Sequence, residues 1–267
     1  MVRAAVAGIA GRMGSRIAQI LKETDGMELV GGFERPGHPA IGKDVSTVIG
    51  GTPLGLSVAG SFRELPRPLD VLIDFTSAEA SLANLERAAE SGTAMVIGST
   101  GFTPEMMEKV RSLTRSVPCV LAPNMSVGVN VLFKVVEEVT RLLGPAYDVE
   151  IVETHHRFKK DAPSGTAVRL AQVVAAARGR DLKEVGVFER NGLIGERPEG
   201  AIGVQTLRGG DIVGEHTVLF AGMGERIEVT HRAHSRDNFA RGAVHAAGWV
   251  VSQPPGLYDM QDVLGLR

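Results

Sequence analysis

The sequence predicts an α/β protein with an N-terminal doubly wound parallel sheet and a C-terminal α+β part on a mixed or antiparallel sheet. Three observations predict it. Short apolar runs alternate with amphipathic segments through the first half of the chain, the rhythm of a parallel sheet with crossover helices. A glycine-punctuated turn, GIAGRMG from Gly8 to Gly14, joins the first apolar run to the first amphipathic one. Past Val127 the style changes, and strand-like runs follow one another with turns between them.

The bulk properties bound what such a fold can do. The chain has 267 residues, 43% hydrophobic and 22% charged, enough for one large or two ordinary domains with a sizeable core. A formal net charge of -2 argues against a nucleic-acid partner, which calls for a basic excess. Any anion site must therefore be local. Cys119 is the only cysteine, which excludes an intrachain disulfide and a Cys-rich zinc site and fits a reducing compartment. No apolar span of about 18 residues occurs, and the N-terminus lacks a cleavable-signal layout. A cytoplasmic protein with no membrane partner is expected.

The elements follow in order. Val2 to Ala7 is a buried parallel strand by its unbroken apolar character. Ile17, Ile20 and Leu21 share one face of the helix after the glycine turn. MELVGGF gives a second strand over Glu28–Phe33. A strand, glycine turn, helix and strand within about 30 residues make a dinucleotide-binding unit of the Rossmann type. In it Gly8 permits the tight turn, Gly11 lets backbone N–H groups approach a pyrophosphate, and Gly14 lets helix and strand pack closely. The spacing is GxxGxxG, with Ala10 where the commonest form has glycine. Glu34 ends the second strand, about 20 residues beyond the glycines, where a carboxylate accepts from ribose hydroxyls. Arg35 follows, placed for a 2′-phosphate, so both NADH and NADPH remain open as cofactors.

A strand is predicted at Asp70–Thr76, a strand into a turn over Ala94–Gly101, and a strand into a loop in VPCVLAPNMS. Between them lie a helix closed by Gly92 and one capped by Thr103 with Pro104 at its first position. The polar loops GSTG and APNMS fall after strands, where ligands sit in such sheets. Val129 to Leu143 has helical spacing and stops at Gly144-Pro145. DVEIVET alternates, with Val149 and Ile151 on one face. A helix is predicted from Thr166 to about Ala177. Strand-like runs follow at Val185–Arg190, Ile202–Leu207, Ile212–Phe220 and Arg226–Ala233, with RGGD and GMGE as turns. Asn238 to Val251 is a last helix, predicted to return to the first domain. The expected division is 1–126 with 237–267 for the dinucleotide and 127–236 for substrate and oligomerisation.

HHRFKKDAPSGT, His155 to Thr166, concentrates positive charge on a nearly neutral chain and lies between a strand and a helix start. N–H groups at Ser164, Gly165 and Thr166 suit a carboxylate there, and Gly165 allows close approach. Histidine titrates near neutrality and Lys159 also carries a proton, so the stretch can bind an anion and protonate a reduced product. A metal site is not expected, since adjacent His155 and His156 on a strand point to opposite faces.

GIAGRMG, FER, DFT, GSTGF, APNMSVGVN, ETHHRFKKDAPSGTA and RGGDIVGEHTVLF together resemble the bacterial dihydrodipicolinate reductase family, in the same order along nearly the whole chain. The resemblance implies reduction of a cyclic dicarboxylate imine with NADH or NADPH in the diaminopimelate and lysine pathway, by a homotetramer. It implies that His155 is the proton donor/acceptor and Lys159 a proton donor, and that His156, Gly165 and Thr166 contact substrate. It implies cofactor contacts at Gly8, Ile9, Ala10, Gly11, Arg12, Met13, Glu34, Arg35, Gly98, Ser99, Thr100, Ala122, Pro123, Asn124 and Met125. Ser99 departs from the threonine of many members but keeps a hydroxyl. The alternatives are a nicotinamide-sensing protein without catalysis, which would need the glycine loop but not His155 and Lys159, and another small dehydrogenase of an amino or hydroxy acid.

Overall fold

Strand β1 (Val2–Ala7) is buried on both faces: Ala4 and Val6 face one core, Ala5 and Ala7 the other. That explains its unbroken apolar run. The computed structural model describes all 267 residues, which divide into two compact units, Met1–Val127 with Asp237–Arg267, and Gly128–Arg236.

The first unit holds β1, α1 (Arg12–Glu23), β2 (Met27–Phe33), α2 (Ser46–Ile49), β3 (Val71–Asp74), α3 (Ala78–Ser91), β4 (Ala94–Ile97), α4 (Pro104–Leu113) and β5 (Pro118–Leu121). Its six-stranded sheet is parallel throughout, and the strand order reverses beside β1, between β2 and β3. Ligands of open α/β sheets bind beyond the strand ends at such a reversal. The predicted caps are present: Thr103 Oγ1 accepts from Met106 N–H, and Gly92 closes α3 at φ +66°. The predicted strand at Asp70–Thr76 is shorter than expected, because Thr76 turns back onto the Asp74 carboxylate, whereas β4 runs into the GSTG loop as the sequence predicts.

The second unit follows α5 (Val127–Leu143) with β6 (Asp148–His155), α6 (Gly165–Ala177), α7 (Leu182–Val185), β7 (Gly186–Val187), β8 (Ile202–Arg208), β9 (Gly214–Ala221) and β10 (Arg226–Ala233). The sheet is mixed: β6 lies at its centre, parallel to β8 and antiparallel to β9. Val149, Ile151, Ile202, Val204, Val218 and Phe220 point to one face, where they pack with Leu132 and Val136 of α5 and Leu170 and Val174 of α6. The opposite face carries Val152, Leu207 and Leu219, and Leu207 is 53% exposed.

Two readings of this unit are corrected. Val185–Arg190 is not one strand; Asp181 caps a helical turn ending at Val185, and only Gly186–Val187 pairs. GMGE closes the β9–β10 hairpin, but RGGD crosses the end of β6, which lies between β8 and β9.

The chain then returns to the first unit as α8 (Asp237–Val250), β11 (Gly256–Tyr258) and α9 (Met260–Val263). Ala243, Ala246, Ala247 and Val250 of α8 are fully buried, and β11 adds an edge strand beside β5.

Candidate active site

In the first unit the glycine turn leaves β1 against the start of α1. Gly8 has φ +63°, and a Cβ there would lie 2.8 Å from Thr76 Cγ2. A Cβ on Gly14 would lie 2.0 Å from the Gly8 carbonyl oxygen, so only glycine lets α1 sit this close. Gly11 is the N-cap of α1 and supplies no side-chain cap, and no acidic residue occupies the first turn. This bare helix start, with its positive dipole end, fits a dinucleotide pyrophosphate.

Glu34 is 8% exposed, and its Oε1 accepts from Ala10 N–H at 2.8 Å. The carboxylate thereby ties the glycine loop to the end of β2. Its Oε2 meets only the Arg35 N–H, at 3.4 Å, which suits a further bond to a ribose hydroxyl. Arg35 is exposed beside it. Gly98 lies so close to Phe75 that a Cβ would come within 2.2 Å of the ring. The Ser99 hydroxyl is buried against that of Ser81 at 2.7 Å, so what Ser99 offers a ligand is backbone; Thr100 is exposed. In the loop after β5, Ala122 and Met125 are buried, Pro123 is exposed, and Asn124 Oδ1 accepts from Ser126 N–H.

The second unit brings together the residues of HHRFKKDAPSGT. His155 ends β6 on its inward face. Its Nδ1 lies 2.6 Å from Oε2 of Glu153, a fully buried carboxylate on the same face. Glu153 Oε1 accepts from the Ser164 N–H at 2.9 Å and the Thr206 hydroxyl at 3.2 Å. Arg208 grips both oxygens, at 2.8 and 2.9 Å. The Arg208 guanidinium also donates to the Asp161 carbonyl at 2.7 Å, and Asp161 holds Lys159 Nζ at 2.8 and 2.9 Å. His155 and Lys159 thus hang from one hydrogen-bonded chain.

Electrostatics follow from these partners. Burial alone would push the Glu153 carboxyl up; bonds from His155, Arg208 and the Ser164 N–H more than offset it and hold the group well below the usual carboxylate range. A bond from Lys159 lowers the Asp161 carboxyl. His216, on β9 beside Glu153, is pushed down to about 3, first by burial and then by His155, and so stays neutral. Its Nε2 meets Ser164 Oγ at 3.0 Å, and its ring stands edge-on to His155 at 5.2 Å.

Two details of the sequence reading change. The Ser164 N–H is not available to a ligand, since Glu153 takes it; Ser164 is instead the N-cap of α6, accepting from Ala167 N–H. The open approach is at Gly165, where a Cβ would meet nothing within 4 Å, with half-buried Thr166 next to it. His156 lies past the end of β6 in a turn closed by Lys159 N–H, and its Nδ1 is buried without a partner. Sequence reasoning assigned no role to Glu153, Asp161, Arg208 or His216. One signal was available for Glu153: in DVEIVET it continues the buried face set by Val149 and Ile151, and a carboxylate on such a face needs partners.

Residues 2–125 match the family model described as dihydrodipicolinate reductase, N-terminus, and residues 128–264 match that of its C-terminus. The chain is 65% identical to the 4-hydroxy-tetrahydrodipicolinate reductase of Syntrophobacter fumaroxidans and 58% identical to that of Syntrophus aciditrophicus, over 100% of both chains in each case. Its fold matches dipicolinate-bound dihydrodipicolinate reductase from Paenisporosarcina sp. TG-14 with a TM-score of 0.77 and 26% identity, covering 98% of each chain. With the glycine turn, the bare start of α1 and the buried carboxylate–histidine pair all in place, the chain belongs to the dihydrodipicolinate reductase family.

Proposed function

We propose that this chain reduces the cyclic dicarboxylate imine derived from 4-hydroxy-tetrahydrodipicolinate to tetrahydrodipicolinate with NADH or NADPH, in the diaminopimelate and lysine pathway. The observation that carries the reading is His155, held through Nδ1 by buried Glu153, near Lys159 and the open start of α6 at Gly165. When bound, the nicotinamide supplies a hydride. Hydride addition leaves an electron pair on the conjugated substrate, and one proton must neutralise it. With Nδ1 turned to Glu153, His155 offers that proton from Nε2, and Gly214 leaves room beside this nitrogen, where a Cβ would come within 2.9 Å. Lys159 is a second donor in the cluster for that same proton, and its charge favours a dianionic substrate. His156, Gly165 and Thr166 bind substrate carboxylate. The expected test result is oxidation of NADH or NADPH that depends on freshly made substrate; cofactor binding without turnover would favour a nicotinamide sensor.

The first unit, with its turn at Gly8–Met13, the Gly98–Thr100 and Ala122–Met125 loops and Glu34, is the cofactor domain in this reading; the second binds substrate and oligomerises. Glu34→Ala is expected to weaken NADH more than NADPH, because NADH has a free adenosine 2′-hydroxyl for the carboxylate. Arg35→Ala is expected to do the reverse. Unchanged Michaelis constants for both cofactors in both variants would remove the ribose assignment.

The chain assembles as a homotetramer of dihedral symmetry through the outward face of the second sheet, in the cytoplasm. Leu207, 53% exposed on the face that also carries Val152 and Leu219, supports the contact. Sedimentation at micromolar concentration is expected to show a tetramer; a stable monomer would refute the assembly.

A further inference from the structure

We propose that Glu153 and Arg208 form a positioning pair for the proton-handling side chains, Glu153 setting the tautomer and orientation of His155 while Arg208 joins that carboxylate to the Asp161–Lys159 ion pair. The proposal rests on the reading of His155 and Lys159 as proton donors.

The geometry is specific. A carboxylate is an acceptor only, so a 2.6 Å contact to Nδ1 places the imidazole proton on that nitrogen. In neutral His155 this leaves Nε2 unprotonated, and in the imidazolium it makes Nε2–H the transferable proton. A wrong tautomer would turn a lone pair toward Glu153 and remove the acid. Glu153 has little freedom to move, since Ser164, Thr206 and Arg208 occupy its oxygens from α6, β8 and the end of β8. Register places Arg208 directly beside His155 across the β6–β8 pair. From there its guanidinium reaches the Asp161 carbonyl while still gripping Glu153. Lysine could not span both, having one compact ammonium where arginine has a planar fork.

The charges facing His155 act in opposite directions. Glu153 on its own strand favours the imidazolium. Arg208 on β8 and Lys159 in the following loop disfavour it, and Asp161 offsets Lys159. His216 on β9 is neutral and contributes no charge near pH 7. Removing Glu153 takes a negative charge from beside the ring and removing Arg208 takes a positive one, so their effects on a pH profile must be opposite in sense, which a purely structural pair would not produce.

The test uses the full chain. Long-range proton–nitrogen correlation on wild-type protein with ¹⁵N-labelled histidine, with His155 assigned from the spectrum of His155→Asn, is expected to show neutral His155 protonated at Nδ1. Protonation at Nε2 would overturn the proposal without any substitution at Glu153 or Arg208. Kinetics of Glu153→Gln and Arg208→Gln supply the second readout. Glu153→Gln is expected to lower kcat ~10²-fold with unchanged NADH binding. It should also shift the alkaline limb of the kcat profile down by about one pH unit, since the imidazolium loses its counter-charge. Arg208→Gln is expected to shift that limb upward. Folded variants with wild-type profiles would overturn the proposal; if either variant fails to fold, the tautomer measurement decides. Failure of the wild-type chain to turn over substrate would sink the functional reading instead, and the tautomer result would stand apart from it.

Discussion

Lys159→Ala and His155→Ala are each expected to lower turnover by about 10²–10⁴-fold while leaving NADH binding at its wild-type level. The size follows from the role. A general acid acts in the transition state, so its removal lowers kcat rather than affinity for a cofactor that it does not hold. His155 has its Nδ1 committed to Glu153 and the Lys159 ammonium donates to Asp161; both residues belong to the second unit, whereas the glycine turn belongs to the first. Thr166→Val is the contrasting change: it should chiefly raise the substrate Michaelis constant. Steady-state kinetics paired with NADH fluorescence titration distinguishes the outcomes. Near wild-type turnover in both alanine variants would mean that the proton comes from water. Loss of NADH binding in them would move the cluster onto the cofactor.

Gly14→Ala is expected to destabilise the protein by at least ~1–3 kcal/mol, the usual cost of overpacking, and to abolish NADH binding. The added methyl would stand 2.0 Å from the Gly8 carbonyl oxygen and 2.8 Å from its carbonyl carbon. Both are backbone, so no rotamer change relieves the clash. Helix α1 must move off the turn, and the N–H groups at its start move with it. Gly165→Ala is the control, because its Cβ would enter open space. It should keep the melting temperature. A Gly14→Ala protein that melts with wild-type and binds NADH normally would show that α1 adjusts at little cost and that the turn is not the cofactor seat.

Much of this was legible because it is local. The β1 run, the glycine turn, the Thr103-Pro104 start and the Gly92 stop each depend on neighbours within one turn or strand, and the structure has all four. The proton-handling pair was legible as residue chemistry. Its supports were not, because they depend on register: Arg208 meets His155, and Thr206 meets Glu153, only once β8 lies parallel to β6 with Val149 opposite Ile202. No spacing within the sequence states that pairing. The Val185–Arg190 strand failed for a related reason, since Asp181 can cap a helical turn and its side chain accepts from Lys183 N–H. β11 has three residues, too few to show a period.

The segment Asp237–Arg267 carries a consequence for the order in which the molecule can be made. Ala240, Ala243, Ala246, Ala247, Val250 and Met260 belong to the same core as Ala4, Val6 and Ile17. A ribosome releases Ala4 long before Met260. While the intervening residues are being translated, the nascent glycine turn rests on a sheet whose α8 side is still bare, and Gly128–Arg236, contiguous in the chain, can finish folding before it. A premature stop ahead of Asp237 would therefore damage the unit that holds β1 and the glycine turn.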